Sequence, residues 1–340
     1  MQQLRNRGPV ASRMDHDIVE PQDHTPGNSP WSIARTLGAR YAIVGVLMAL
    51  AVTSNILYPG FLAAGNLRNI LSQNAPVGIV AIGMTFVIVG GGFDLSVAAI
   101  FAACGVAFAS FAGRMPIAAA FAGALLVGLA AGAINGVVIT RLQVNPFVAT
   151  LGSASFFSGL AYLYSHSRPI IPTNPSFATL DNLKPLGIPI SILIFVGVLA
   201  LGTVVLSKSV FGRSVHAVGG NAEAARLAGI RINRIRFLTY LVTGLCAALA
   251  GAVTASRTGV GQADIGASIT LDAIAIVVIG GTSLLGGEGA MWRTLVGLFI
   301  LATINNLFDS LALDTAAQSL VKGLIVIGAV ALDSYSRRRQ

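Results

Sequence analysis

Few residues of this chain have the types and spacing that catalysis or metal binding requires. The histidines show no HExxH or comparable spacing; they are His16, His24, His166 and His216. The stretch GTSLLG, Gly281 to Gly286, has the glycine spacing of a phosphate-binding loop. However, Gly287 and Glu288 follow where such a loop requires Lys and Ser or Thr, and no Gly-Lys pair occurs in the sequence. We therefore expect no catalytic residue, metal or cofactor in this polypeptide.

Three ionisable residues, Asp94, Asp272 and Lys322, lie within long apolar stretches. Asp272 follows Asp264 by eight positions, and Lys322 follows Asp314 by the same interval. If both leading acidic residues lie at one membrane surface, a helical rise of 1.5 Å per residue places the followers about 12 Å deeper. A lone charge at that depth is costly, so we predict an ion pair between Asp272 and Lys322. Alternatively, Lys322 extends to the surface and Asp272 only begins a helix.

A polar segment, residues 207–236, interrupts the apolar sequence and contains six Lys or Arg residues. Within it, Asn221 suits a helix N-cap and Gly229 suits the position after the C-terminus. We predict a short helix from Ala222 to Ala228, whose small side chains allow close approach of another surface. The segment is either an inert surface loop or a docking site for a partner protein. The predicted docking residues are Gly219, Gly220, Asn221, Ala222, Glu223, Ala225, Arg226 and Gly229.

Glycines and amides within apolar stretches are candidates for lining a passage. Gly90, Gly91 and Gly92 can break a helix, because glycine adopts backbone angles that other residues avoid. Broken membrane helices are tolerated where they line a cavity. Asp94 and Ser96 follow this break, although Asp94 is also suited to cap the next helix. The candidate amides, which either bind a polar solute or satisfy backbone groups, are Asn135, Asn145, Asn305 and Asn306.

Composition determines the elements that position these residues. Of the 340 residues, 54% are hydrophobic and 10% are charged, whereas soluble domains carry roughly 25% charged residues. Most charges are separated by apolar stretches long enough for a helix of about 20 residues to cross a bilayer. These stretches lack the alternation of membrane-barrel strands. We predict an all-α polytopic membrane protein with about ten transmembrane helices, of which the last three, near residues 265–287, 291–308 and 315–332, give the weakest signal.

The net charge of +9 reflects topology rather than nucleic-acid binding. After an even number of crossings both termini lie on one side, and that side carries most of the Lys and Arg residues, including the polar segment. The positive-inside rule then places both termini in the cytoplasm. We divide the chain into a disordered cytoplasmic tail, residues 1–36, and a transmembrane domain, residues 37–336. The proline-rich stretch 166–189 is expected to form an extended periplasmic loop.

Four long segments occur in a characteristic order. They are GMTFVIVGGGFDLS (Gly83–Ser96), NGVVITRLQVNPFVATLG (Asn135–Gly152), GRSVHAVGGNAEAARLAGIRINRIRFLTYLVTGLCAALAG (Gly212–Gly251) and LDAIAIVVIGGTSLLGGEGAMWRTLVG (Leu271–Gly297). Together they resemble the ribose/xylose/galactose-type ABC transporter permeases, which share a superfamily with the branched-chain amino acid permeases. The resemblance extends from about residue 40 to about residue 335.

The resemblance implies a ten-helix subunit that forms a homodimer or pairs with a sister permease in the bacterial inner membrane. It also implies a cytoplasmic ABC ATPase that binds ATP and Mg²⁺, and a periplasmic sugar-binding protein. The helix at Ala222–Ala228 would then be the coupling helix that docks into the ATPase. We expect a transport subunit for a monosaccharide, either a pentose or a hexose. Alternatives are an amino acid, nucleoside or polyol as substrate, or a secondary transporter that works alone.

Overall fold

A computed structural model describes residues 30–178 and 183–337. Contacts within the chain separate residues 1–41 from a larger unit, residues 42–340, and the packing below is that of the larger unit. Most of the predicted tail lies outside the described residues, and residues 30–36 belong to the first helix.

The described residues fold into α-helices joined by short connections. In chain order the helices are α1 (Pro30–Leu57), α2 (Ala64–Val89), α3 (Val97–Ala112), α4 (Ile117–Thr140), α5 (Pro146–Ser165), α6 (Ile190–Lys208), α7 (Val210–Gly220), α8 (Ala222–Leu227), α9 (Ile232–Thr258), α10 (Ile269–Ile279), α11 (Met291–Ser310) and α12 (Thr315–Arg337). In the described ranges the only strand-like pairing is an isolated bridge between Ile170 and Gly261. The predicted all-α class is therefore confirmed.

Six helices in the described part of the chain are long and apolar enough to cross a membrane: α2, α4, α5, α6, α9 and α11. Shorter apolar helices cover Tyr41–Leu57, Val97–Ala112 and Ile269–Ile279. The predicted number of about ten crossings is thus not confirmed, although each predicted span contains a helix.

Glycine turns explain why α3 and α10 are short. α10 lies between Gly266 and Gly281, both of which have a positive φ that L side chains rarely adopt. Its 11 residues extend about 16 Å, whereas a bilayer core is about 30 Å thick. α3 begins only after the glycine-rich break at residues 90–92. Both helices therefore cross at most part of a bilayer core.

Helix α9 lies at the centre and packs against α2, α3 and α4. Small residues permit the closest of these contacts. A Cβ added at Gly128 of α4 would overlap Ala248, and one at Gly132 would overlap the carbonyl oxygen of Tyr240. Small residues thus bring α4 and α9 close together within this chain. On α4, α5 and α6, exposed leucines cover the outer surface, as expected for helices in contact with lipid; they include Leu126, Leu163 and Leu201.

The connection between α5 and α6 is held against the helices more firmly than an extended loop would be. The backbones of Ile170 and Gly261 exchange two hydrogen bonds of 2.9 Å. Phe177 is buried against Phe108, with ring centroids 4.8 Å apart, and its carbonyl accepts a hydrogen bond from the hydroxyl of Ser256. The described part of this connection therefore packs against α3 and the C-terminal end of α9.

Candidate functional site

The polar segment folds into two helices, α7 and α8, that meet at Asn221. The Asn221 side chain caps α8 by accepting a hydrogen bond of 3.0 Å from the backbone N–H of Ala224. Gly229 has a φ of 82° and follows the last turn, where its N–H donates to the carbonyl of Arg226. The N-cap and the glycine stop therefore lie where the sequence places them, and α8 is a self-contained short helix.

Glu223 and Arg226 form an exposed ion pair on α8. The Arg226 Nε donates to the Glu223 carboxylate at 3.0 Å, and a second guanidinium nitrogen binds the other carboxylate oxygen. These hydrogen bonds lower the pKa of Glu223 below its usual range and raise that of Arg226. Because solvent screens such pairs, the pair contributes little to folding and leaves both charges available to a partner surface.

The two faces of α8 differ in exposure. Ala225 is only 4% exposed, so its small side chain packs within the chain. The sequence had suggested instead that this side chain allows close approach of a partner. Leu227, which the sequence analysis did not select, is 75% exposed. Its exposed side chain, with those of Glu223 and Arg226, is free to contact a partner protein. Ala222 is half-buried, and Asn221 and Gly229 are exposed.

Glycines of three distant segments meet where α7 ends. A Cβ at Gly219 would overlap the carbonyl oxygen of Val89 and lie 2.6 Å from the nitrogen of Gly287. The N–H of Gly287 donates to that same Val89 oxygen at 2.8 Å. A Cβ at Gly286 would lie 2.8 Å from the Cα of Gly91. We call Val89, Gly91, Gly219, Gly286 and Gly287 the glycine junction; in it, backbones pack directly on one another.

The glycine junction connects the polar segment to the membrane helices. Val89 ends α2, and Gly286 and Gly287 belong to the turn between α10 and α11. Gly220 adjoins the junction but has room, since a Cβ there would come no closer than 3.8 Å to Gly287. Sequence reasoning selected Gly91, Gly219 and Gly220 separately; it did not predict that they meet the Gly286–Gly287 turn.

The residues after the glycine break form a buried polar network. Asp94 is fully buried, and one of its carboxylate oxygens accepts hydrogen bonds from the Ser96 N–H and hydroxyl at 2.9 and 2.5 Å. The Asn135 amide donates to the Ser96 hydroxyl at 2.7 Å. Nearby, the Tyr240 hydroxyl donates to the carbonyl of Phe93. The structure thus brings Asp94, Ser96 and Asn135 together as a brace between α4 and the start of α3.

The other candidate amides lie in different surroundings. Asn145 caps α5 by accepting from the N–H of Phe147 at 2.9 Å. Asn305 and Asn306 lie near the end of α11, where Asn306 and Asn66 of α2 donate to each other's side-chain oxygens at 3.1 Å. The predicted passage residues therefore separate into a group beside the glycine junction and a group at the far end of α2.

Asp272 and Lys322 lie close together, with 3.8 Å between the Asp272 Oδ1 and the Lys322 Nζ. Their side chains are 16% and 24% exposed, respectively. Asp272 also accepts a hydrogen bond from the Ser268 hydroxyl at 3.1 Å. The contact joins α10 to α12. The equal offsets from Asp264 and Asp314 do not explain it, because α10 begins only at Ile269 and Asp264 lies outside the helix.

A polar cavity beside this ion pair is the feature that sequence reasoning largely missed. It is lined in part by Gln73 and Asn74 of α2, Arg257 of α9 and Gln318 of α12, with Asn305 and Asn306. The sequence feature that could have indicated this cavity is the presence of amides within apolar helices.

Within the described ranges, no three His, Cys, Asp or Glu residues cluster as metal ligands would.

Comparison with known proteins adds to this geometry. Residues 66–330 match the family described as "Branched-chain amino acid transport system / permease component". The ribose import permease protein RbsC of Bacillus subtilis is 41% identical over 291 residues, covering 84% of this chain and 90% of the relative. The protein of the same name from Escherichia coli K12 is 36% identical, covering 86% and 92%. The L-arabinose transport system permease protein AraH of Escherichia coli K12 is 34% identical, covering 88% and 92%.

No solved structure matches the chain significantly. The relatives are transport subunits rather than enzymes, which agrees with the scarcity of catalytic groups in the sequence. The similarity covers 90% and 92% of the two RbsC relatives, and the family match, residues 66–330, spans the polar segment and the glycine-rich turns. With a bundle of apolar, membrane-length helices and a family match over most of its residues, the chain belongs to the permease components of the branched-chain amino acid transport system family.

Proposed function

We propose that this chain is the permease subunit of an ABC importer that carries a monosaccharide across the bacterial inner membrane. The observation that carries the proposal is the glycine junction, because it links a capped surface helix to the membrane helices by backbone contacts alone. A helix attached in this way can transmit the movement of a partner protein. Relatives named for ribose and L-arabinose support a pentose as the solute.

In this mechanism α8 is the coupling helix of a cytoplasmic ABC ATPase. ATP and Mg²⁺ act in that partner, and its closure displaces α8. Backbones that touch without intervening side chains cannot slide past one another freely, so displacement at Gly219 reaches α2 and the α10–α11 turn. Access to the passage then alternates between the two sides of the membrane. Leu227, Glu223 and Arg226 supply the docking contacts.

The passage extends between the two groups of polar residues described above. The glycine break at Gly90–Gly92, with the Asp94–Ser96–Asn135 network, forms its cytoplasmic boundary. Asn305 and Asn306 lie at its outer end. Asn145 contributes by fixing the start of α5. The ion pair of Asp272 and Lys322 ties α12 to α10 beside that outer end.

The chain works in an assembly. A periplasmic sugar-binding protein delivers the solute, and two permease subunits, either two copies or one copy and a sister permease, form the transmembrane unit. Residues 37–336 are the transmembrane domain, residues 207–236 its cytoplasmic coupling loop, and residues 1–36 a cytoplasmic tail. Both termini lie in the cytoplasm, because that orientation places the basic polar segment inside.

Charge reversal on α8 tests the proposal. In proteoliposomes containing the chain, its ATPase and its binding protein, Arg226→Glu should reduce ATP-driven D-ribose uptake by more than about tenfold, the loss expected of a docking contact. Leu227→Asp should do the same. Because both side chains are exposed, the thermal unfolding of the permease should not change.

Arg114→Glu is the matched control. This exposed arginine lies in the connection between α3 and α4, away from the polar segment, and its reversal should leave uptake unchanged. Normal coupled uptake by both Arg226→Glu and Leu227→Asp would contradict docking through α8. Uptake of D-ribose without the ATPase would contradict the ABC mechanism itself.

A further inference from the structure

A cavity of about 270 Å³ lies among α2, α9, α11 and α12, beside the N-terminal half of α2, whereas the glycine junction lies at the C-terminal end of that helix. Asn74 belongs to the cavity and Val89 to the junction. The rise of 1.5 Å per residue separates these two residues by about 22 Å along the helix. The cavity therefore lies far from the polar segment.

Side-chain amides dominate the lining; they are Gln73, Asn74, Asn305, Asn306 and Gln318. Most are held by the protein. Asn74 donates to the carbonyl of Ile70 at 2.8 Å, and Gln73 donates to the Asn69 side chain at 3.0 Å. Each amide can donate two hydrogen bonds and accept two. After these contacts the lining therefore retains both donors and acceptors for a ligand.

Asn305 differs from the other amides. It lines the cavity, yet its Oδ1 is buried without a hydrogen-bond partner. Buried polar atoms normally have partners, and leaving one unsatisfied is costly. Asn305 therefore brings to the wall of the cavity an acceptor that the described residues leave unsatisfied.

The charged groups of the cavity are engaged by the protein. The Arg257 guanidinium donates to the carbonyl of Ser72 at 3.1 Å, and Gln318 donates to the Asp309 carboxylate at 3.1 Å. Lys322 lies 3.8 Å from Asp272. The lining thus holds two cations, Arg257 and Lys322, and one carboxylate, Asp309. With Asp272 beside Lys322, the formal charges around the cavity sum to zero.

We infer that this amide cavity binds an uncharged, polyhydroxylated solute, such as a sugar ring, before the solute passes into the membrane. Hydroxyl groups both donate and accept, which matches the amides better than a carboxylate or an ammonium group would. The volume equals that of roughly nine waters at about 30 Å³ each, so a pentose can displace them. The inference rests on the proposed import function and assigns the first contact of the solute with the permease.

Protection of a reporter cysteine tests the inference. Gln73 is exposed at the cavity, and the native Cys104 and Cys246 are buried, so Gln73→Cys in lipid nanodiscs supplies a single reactive thiol. A small charged thiosulfonate reagent should modify it. D-ribose at about 10 mM should slow modification at least about threefold, as expected for a Kd of about 5 mM or tighter. L-valine at the same concentration should have no effect.

Two second-site variants show which residues bind the sugar. Asn305→Leu in the Gln73→Cys chain should abolish protection by D-ribose while leaving the unfolding temperature and the rate without sugar unchanged. Asn233→Leu, an exposed amide near the start of α9, is the matched control and should retain protection. Ser176→Cys, exposed in the α5–α6 connection, should react at the same rate with and without D-ribose.

Absence of slowing by D-ribose would overturn the inference. So would equal slowing by L-valine, or protection that survives Asn305→Leu. If the complete transporter imports D-ribose although the reporter is not protected, only the amide cavity is wrong. If the reporter is protected but uptake does not require the ATPase, the cavity stands and the proposed ABC function fails.

Discussion

The two halves of α2 contact their surroundings in different ways: one through closely packed backbone, the other through polar side chains that line a cavity. At its C-terminal end the contacts of the glycine junction are made by backbone atoms, and Gly219, Gly286 and Gly287 bring three backbones together. Beside its N-terminal half, amides and charged side chains surround an open volume of about 270 Å³. The glycine junction is packed too closely to admit a solute, whereas the cavity has room for a small one.

This difference matches two mechanical requirements of transport. Transmission of force needs contacts that cannot rearrange, and backbone-to-backbone packing has no rotamers to change. Admission of a polar solute needs groups that exchange partners readily, and amides can replace one hydrogen bond with another. α2 connects both ends, so movement at the glycine junction can change the amide cavity without any contact between them.

The largest expected difference between the two ends is their accessibility. With both termini in the cytoplasm, Ser176→Cys should be modified fully by an impermeant thiol reagent added to intact spheroplasts, since residue 176 lies in the α5–α6 connection at the outer surface. Asn221→Cys, at the start of α8, should react only after the membrane is permeabilised. The reverse pattern would place the amide cavity in the cytoplasm and overturn the proposed direction of transport.

Substitution of adjacent glycines tests whether the junction is rigid. Gly219→Ala should lower the free energy of unfolding by more than about 3 kcal/mol and abolish uptake, because the added Cβ overlaps backbone that cannot rotate away. Gly220→Ala should change stability by less than about 1 kcal/mol, since its Cβ has room. Thermal unfolding in detergent and uptake in proteoliposomes measure both effects. If both substitutions changed stability and uptake equally little, the backbone at the glycine junction would not be rigid.

A smaller effect is expected from the ion pair beside the amide cavity. Asp272→Lys and Lys322→Asp should each cost about 2–3 kcal/mol of stability, since either change leaves like charges close together in a largely buried site. The double exchange should recover more than half of that loss, as measured by thermal unfolding. A double variant as unstable as the worse single variant would show that the contact at 3.8 Å does not hold α12 to α10.

Local sequence patterns were sufficient to predict the positions of most helices in this protein. Apolar stretches between charges indicated the helices, and the cap at Asn221 with the stop at Gly229 defined α8. These inferences succeed because capping and membrane insertion depend on residues close in sequence. The length of α10 was overestimated, since hydropathy continues through Gly280 although the helix ends there.

The sequence did not predict which side chains of α8 are exposed. Ala225 and Leu227 lie two positions apart on one short helix, and the sequence suggested that the alanine meets a partner. In the structure Ala225 is buried and Leu227 is exposed. α8 has only six residues, so its hydrophobic pattern is too short to show which side packs against the chain.

By itself, the sequence determined the all-α membrane class, the family and the capped helix α8. It also suggested a contact between Asp272 and Lys322. Only the tertiary structure decided that Gly91, Gly219 and Gly286 meet, and that amides of α2, α11 and α12 enclose one cavity. These groups are separated by tens to hundreds of residues, and no local periodicity encodes which helices become neighbours. Their proximity arises from the packing of α9 against α2, α3 and α4, because close-packed helices leave few arrangements in which all small residues fit.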